Sequence, residues 1–178
     1  MTDPLDFIRY LQFLGEADTG EKRKALAELR RGLPNPARAP VMAPYVEKYT
    51  LGEQKWPRFC YYAIAALFAL HGKSCREGNL GHHLRRLPHR GVESDLLRVL
   101  QVPRSQIYPH VTRLMRQLKA NDIPVNWLRL LRDLIGWGHP SRYVQTAWRK
   151  GFYTPLAEEE PNIDPTSNQP TERKPEHV

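Results

Sequence analysis

The decapeptide HHLRRLPHRG, His82 to Gly91, holds three histidines and three arginines and no carboxylate. Two chemistries use such a composition: imidazoles that bind a metal or move protons, or a cationic surface that meets phosphates. Spacing argues against the first. His82 and His83 are adjacent and point to different sides of a helix, and His89 lies beyond Pro88, so the i, i+4 arrangement that clamps zinc is absent. No Asp or Glu falls between Glu77 and Glu93, whereas two-metal hydrolysis needs several carboxylates close together. No His-Asp pair occurs, and neither GxxxxGK nor GxGxxG appears. His71 and Cys75 stand four apart, but Gly72 and Lys73 should break the helix between them. The expectation is a protein with no catalytic residues, no metal ligands and no cofactor. A nucleophile and base that meet only in the folded chain leave no such signature, so an enzyme acting on nucleic acid stands as one alternative.

The second chemistry has wider support. The formal charge is +8, yet Leu156 to Val178 carry six acidic residues against two basic ones. Residues 1–155 therefore hold 25 basic against 13 acidic residues, a charge of +12. Of the 27 basic residues 19 are arginine, whose planar fork matches phosphate oxygens in pairs. A polyanion is the natural partner, nucleic acid first, then an anionic membrane surface or an acidic protein. The cations cluster as Arg30 and Arg31; Arg85 and Arg86; Arg113, Arg116 and Lys119; and Arg142 and Arg149. Arg30 and Arg31 also fit simple charge complementation of a helix C-terminus. Scattered over several helices, such residues track a backbone without reading bases, which predicts salt-sensitive, sequence-independent binding. A free-standing helical DNA-binding regulator, the other alternative, needs one recognition helix with base-reading Asn, Gln or Arg, and none is evident.

The elements that must position these residues read as helices throughout, giving an all-α fold. Asp3 and Pro4 start a first helix with Phe7, Ile8, Leu11 and Leu14 inward; a second, GEKRKALAELRRG, turns Ala25, Leu26 and Leu29 inward. After the connector LPNPARAP come a short helix through Val46 and a long one entered by KWPRF, whose run FCYYAIAALFAL is apolar on every side and must be central. Arg58 near its start is an unfavourable cation by the dipole argument, which implies a further partner. Glu93 to Leu100 carries Leu96, Leu97 and Leu100 inward, and Pro103 and Pro109 precede HVTRLMRQLK. There Val111, Leu114, Met115 and Leu118 face the core and Arg113, Arg116 and Lys119 make an opposite face of one charge sign. Asn126 caps the next helix and Ser141 the last, where Arg142, Gln145 and Arg149 face outward. Trp127, Trp137 and Trp148 read as core anchors. Cys60 and Cys75 form no CxxC, the N-terminus lacks signal-peptide features, and Phe59 to Leu70 is short of the ~20 residues of a membrane span. A reducing cytoplasm, with no membrane partner, is the expected setting.

Five segments in order, LRRG, WPRF, LGHHLRRL, DIPVNWLRLLRDLIGW and SRYVQTAWRKGFY, together resemble the CasB family, the small subunit of the type I-E CRISPR surveillance complex Cascade. The resemblance spans about residues 5–153. It implies a compact two-lobed helical bundle without catalysis, divided here as lobes 1–75 and 76–154; residues 155–178, proline-rich, polar and almost without large apolar side chains, read by composition as a disordered acidic tail. It implies as partners crRNA, the target and non-target DNA strands, the Cascade backbone and large subunits, and a second copy. The resemblance further implies that basic residues stabilise the R-loop, chiefly by holding the displaced non-target strand, and that Arg30, Arg31, Arg58, Arg116 and Arg142 stand at such positions. Ser94 and Asp95 depart from it where an arginine is common.

Overall fold

Short polar side chains begin several helices where the sequence places them. The structure, a computed structural model, describes residues 3–156. Helix α1 (Pro4–Gly15) starts at Asp3, whose carboxylate accepts the Leu5 amide at 2.9 Å, and it buries Phe7, Ile8, Leu11 and Leu14. Helix α2 (Gly20–Arg30) is capped by Thr19 and buries Ala25 and Leu29, with Leu26 half-buried. The proline-rich connector makes two 3-10 turns, Pro36–Arg38 and Pro40–Met42, before α3 (Ala43–Val46). Helix α4 (Lys55–His71) is the central one: Cys60, Tyr61 and Ala63 to Ala69 are buried, and Gly72 ends it in the left-handed conformation at φ +73°.

The second half contributes α5 (Leu80–Arg85), α6 (Val92–Val99), α7 (Ile107–Ala120), α8 (Trp127–Ile135) and α9 (Tyr143–Tyr153). Among the described residues the one extended pairing is an isolated parallel bridge between Ser74 and Val125, so the all-α expectation holds. Buried apolar residues from Phe7 to Trp148 make one connected core, and α4 packs on α2, α7 and α8. The two halves of the chain thus share an interior. Trp127, Trp137 and Trp148 are its largest side chains, at most 1% exposed. Their indole N–H groups donate to the Lys73 carbonyl, the Val102 carbonyl and Asp133 Oδ2 at 2.9, 2.9 and 2.7 Å, so burial leaves none unsatisfied. Helices α5 and α9 touch backbone to backbone: a Cβ on Gly81 would overlap the Trp148 carbonyl oxygen, and one on Gly151 would lie 2.5 Å from Asn79 Oδ1.

Four local expectations are corrected. Arg142, not Ser141, occupies the cap position of α9, at φ +52°, because the turns closed by His139 and Arg142 amides rotate Ser141 toward the His139 ring. Gln145 is buried, not outward; its amide donates to the Trp137 carbonyl at 2.9 Å because that side of α9 lies against the Trp137 turn. Leu97 is 40% exposed while Leu96 and Leu100 are buried, since it stands about 100° away from Leu96 around the helix. Pro109 lies inside the first turn of α7, where its missing N–H breaks no helical bond. The tail expected over 155–178 lies, beyond Leu156, outside the described residues. Leu156 itself approaches Gly78.

Candidate nucleic-acid interface

Helix α4 serves as the ruler for the basic residues. Arg58 and Ala69 are eleven positions apart, three turns plus about 20°, so they share one face with ~16 Å between them. At the near end Arg58 Nη2 pairs with Glu47 Oε1 at 2.7 Å, and the Tyr62 hydroxyl donates to Glu47 Oε2 at 2.7 Å. Burial and then that bond push the Tyr62 phenol up to about 12, so it remains a donor. The awkward cation at the helix start therefore has an internal partner in Glu47. At the far end Arg30 Nε donates to the Ala69 carbonyl at 3.0 Å, which fastens the end of α2 over the last turns of α4 and leaves Arg31 exposed beyond it.

Gly32 follows, pressed so closely that a Cβ would collide with Met42 Sδ and meet the Ala66 methyl at 3.2 Å. The Tyr108 hydroxyl, from the first turn of α7, donates to the Gly32 carbonyl at 3.2 Å. This bond turns one flank of α7 toward the end of α2. Lys119, eleven positions beyond Tyr108, comes within about 20° of the same flank, and Arg116 lies about 60° from Lys119. Phe59 meets the Tyr108 ring edge-on at 5.8 Å, and His71 Nε2 donates to the Ile123 carbonyl at 2.6 Å just past α7. Helix α7 therefore runs alongside α4 in the same direction, and Arg116 and Lys119 lie on its C-terminal half. Among the described residues no hydrogen bond or ion pair engages the side chains of Arg31, Arg116 or Lys119.

The other predicted cations are placed differently. Arg113 points to α6, where Asp95 takes it at 3.3 Å and also accepts Gln117 Nε2 at 3.0 Å, so the expected face of uniform sign is broken by a carboxylate from the next helix. Arg85 Nη1 donates to the Phe152 carbonyl at 3.3 Å and Arg142 Nη2 to the Leu100 carbonyl at 2.5 Å. Arg149 is exposed on α9, and Arg86 lines a cavity of about 400 Å³ with Cys75, His82 and His83. The opening histidines serve the fold. His82 Nδ1 accepts the Asn79 amide at 3.1 Å in a reciprocal cap of α5. His83 Nε2 accepts the Asn126 amide at 3.2 Å, and burial, with smaller help from His82 and Arg86, holds its pKa down at about 4. His89 meets Gln117 Oε1 at 2.8 Å. Burial pushes the Cys75 thiol up, the opposite of what a nucleophile needs. Among the described residues no group of three or more His, Cys, Asp or Glu is placed to hold a metal ion.

A sequence-family model described as CRISPR-associated protein Cse2 matches residues 25–153. This chain belongs to the Cse2, or CasB, family. Cse2 of Thermus thermophilus is 33% identical over 170 residues, 88% of this chain and 91% of the relative. The crystal structure of CasB from Thermus thermophilus superposes with a TM-score of 0.76 at 28% identity, covering 86% of this chain and 99% of that one. A chain of a solved CRISPR RNA-guided surveillance complex superposes with a TM-score of 0.69 at 25% identity, covering 84% and 90%.

Of the five positions carried by the resemblance, Arg30 docks on the last turns of α4 with Arg31 next to it in sequence, Arg116 lies on α7 where its charge acts on Tyr108, Arg58 stands near the start of α4, and Arg142 reaches the end of α6 from the start of α9. Asp95 is the internal partner of Arg113. Sequence reasoning missed Arg38 and Lys55, which join Arg58 around a cavity of about 580 Å³. Arg38 is held between Pro36 and Pro40, and no helical spacing relates it to Arg58.

Proposed function

We propose that this Cse2 chain is the non-catalytic small subunit of a CRISPR RNA-guided surveillance complex, where it holds the DNA strand displaced when crRNA pairs with its target. The observation that carries this reading is that Arg31 at the end of α2 and Arg116 and Lys119 on α7, helices that the Tyr108–Gly32 bond ties together, have no carboxylate bound to any of them among the described residues. Such a surface binds phosphates by releasing counterions, so its affinity falls with salt and is indifferent to sequence. Strand exchange by a guide RNA is nearly balanced in free energy, and modest protein contacts to the displaced backbone suffice to tip it. A relative of the same fold that is itself a chain of such a complex supports the assignment. The complex would supply the remaining partners: crRNA, target strand, backbone and large subunits and a second copy of this chain, in the cytoplasm. Within this reading Arg31, Arg58, Arg116 and Lys119 form the main track, and Arg30, Arg85, Arg86, Arg113, Arg142 and Arg149 extend it more weakly.

The test is DNA affinity of the reconstituted complex carrying charge-reversed Arg31, Arg58, Arg116 and Arg142. A loss of about 100-fold with unchanged assembly, and a shallower dependence on salt, is expected. Unchanged affinity overturns the reading.

A further inference from the structure

The cavity at the start of α4 has a construction that phosphate contact alone does not require. Its floor is apolar, made by Pro36, Ala43 and the half-buried Phe59, and its rim carries Arg38, Lys55 and Arg58. Glu47 is the one carboxylate among its lining residues, and both its oxygens are occupied, one by Arg58 and one by Tyr62. Arg58, which binds Glu47 through Nη2 and also interacts with the Tyr62 hydroxyl, keeps about half of its side chain exposed at this rim. Among the described residues no hydrogen bond or ion pair engages the side chains of Arg38 or Lys55. At about 580 Å³ the cavity falls within the range of small-molecule sites.

We infer that this cavity accepts one unstacked base of a single-stranded nucleic acid, with the flanking phosphates held by Arg38, Lys55 and Arg58. A base offers a flat apolar face to the floor whatever its identity, which keeps binding indifferent to sequence. Three rim cations against one internally satisfied carboxylate favour the anionic backbone on either side of the inserted base. The site lies on the face of α4 that leads to Arg30 and Arg31, so one strand can cross it and continue to the far end of the helix. This inference rests on the proposed nucleic-acid role and adds a specific seat for a base.

The experiment titrates the full-length chain, at low salt, into single strands of DNA and of RNA that each carry one 2-aminopurine. Binding should raise the 2-aminopurine emission at least about twofold as the base leaves its stack. Ala43→Trp, which fills the floor, and Ala37→Trp, which obstructs the exposed rim, should each abolish that rise while affinity falls less than about fivefold. Arg38→Glu should weaken binding about 10-fold. A rise for DNA alone or for RNA alone supports the cavity and names its strand. A parental rise in both folded tryptophan variants overturns it while leaving the phosphate track intact. Failure of the parent to bind any single strand overturns the proposed function itself. A photoreactive residue at position 37 that captures a protein segment in the reconstituted complex, and no nucleic acid, also overturns the inference.

Discussion

At the end of α2 the guanidinium of Arg31 and on α7 that of Arg116 stand without hydrogen bonds or ion pairs among the described residues, whereas on α5 and at the start of α9 those of Arg85 and Arg142 close onto the Phe152 and Leu100 carbonyls. The difference has one cause. The last carbonyls of a helix lack intrahelical donors and carry the negative end of its dipole, so a nearby arginine satisfies them as readily as it would a phosphate. Phe152 and Leu100 sit at the ends of α9 and α6, and Ala69, which takes Arg30, at the end of α4. The paired motif at Arg30 and Arg31 is thereby divided: the first arginine fastens two helices and the second remains for a ligand. One residue type thus ties helices together at some positions and faces outward at others.

The comparison breaks most severely at the α5–α9 contact. Gly81→Ala should destabilise the protein by about 3 kcal/mol, the upper end of typical overpacking costs, because its methyl meets backbone that cannot rotate away. Urea unfolding measures this, and a small loss would mean that α5 and α9 can part. Next is the pH response of the same region. The folded pKa of His83, about 4, lies below the ordinary 6.5 of the unfolded chain, so the unfolded state takes the proton first. Stability is therefore flat above pH 6.5 and falls by about 3 kcal/mol as pH drops toward 4, a slope that His83→Gln should remove in denaturation series across that range.

The α4 surface should respond in the opposite manner. Arg31→Glu with Arg116→Glu should weaken single-strand binding about 30-fold and flatten its salt slope while leaving the unfolding midpoint within a degree or so. Arg113→Glu, whose partner Asp95 already cancels it, should cost about threefold or less in the same anisotropy titration. The smallest effect separates the two uses of arginine most cleanly: Arg142→Gln should cost about 1 kcal/mol of stability through the lost Leu100 bond and change affinity less than about threefold. If affinity falls and stability does not, Arg142 belongs with the outward set.

Much of the fold was legible because its signals are local. Asp3 and Asn126 cap helices through side chains that reach amides two or three residues on, and the α1 and α8 stripes repeat within a turn. Ser141 and Gln145 misled because their surroundings come from elsewhere, the His139 ring turning one and the Trp137 carbonyl burying the other. The site was half legible. Its residues could be named from charge and from likeness to CasB, but the sequence held no sign that Arg38 and Lys55 join Arg58 across the connector.

The amino-acid order by itself determined the helices, their inward stripes, the cationic excess over residues 1–155 and the family. Only the tertiary structure decided which arginines remain available. The carbonyls that take Arg30, Arg142 and Arg85 lie 39, 42 and 67 residues away along the chain, and the carboxylate that offsets Arg113 comes from a neighbouring helix. Hydrogen bonds and Coulomb attraction act over a few ångströms of space, so a cation's freedom depends on what folding brings beside it.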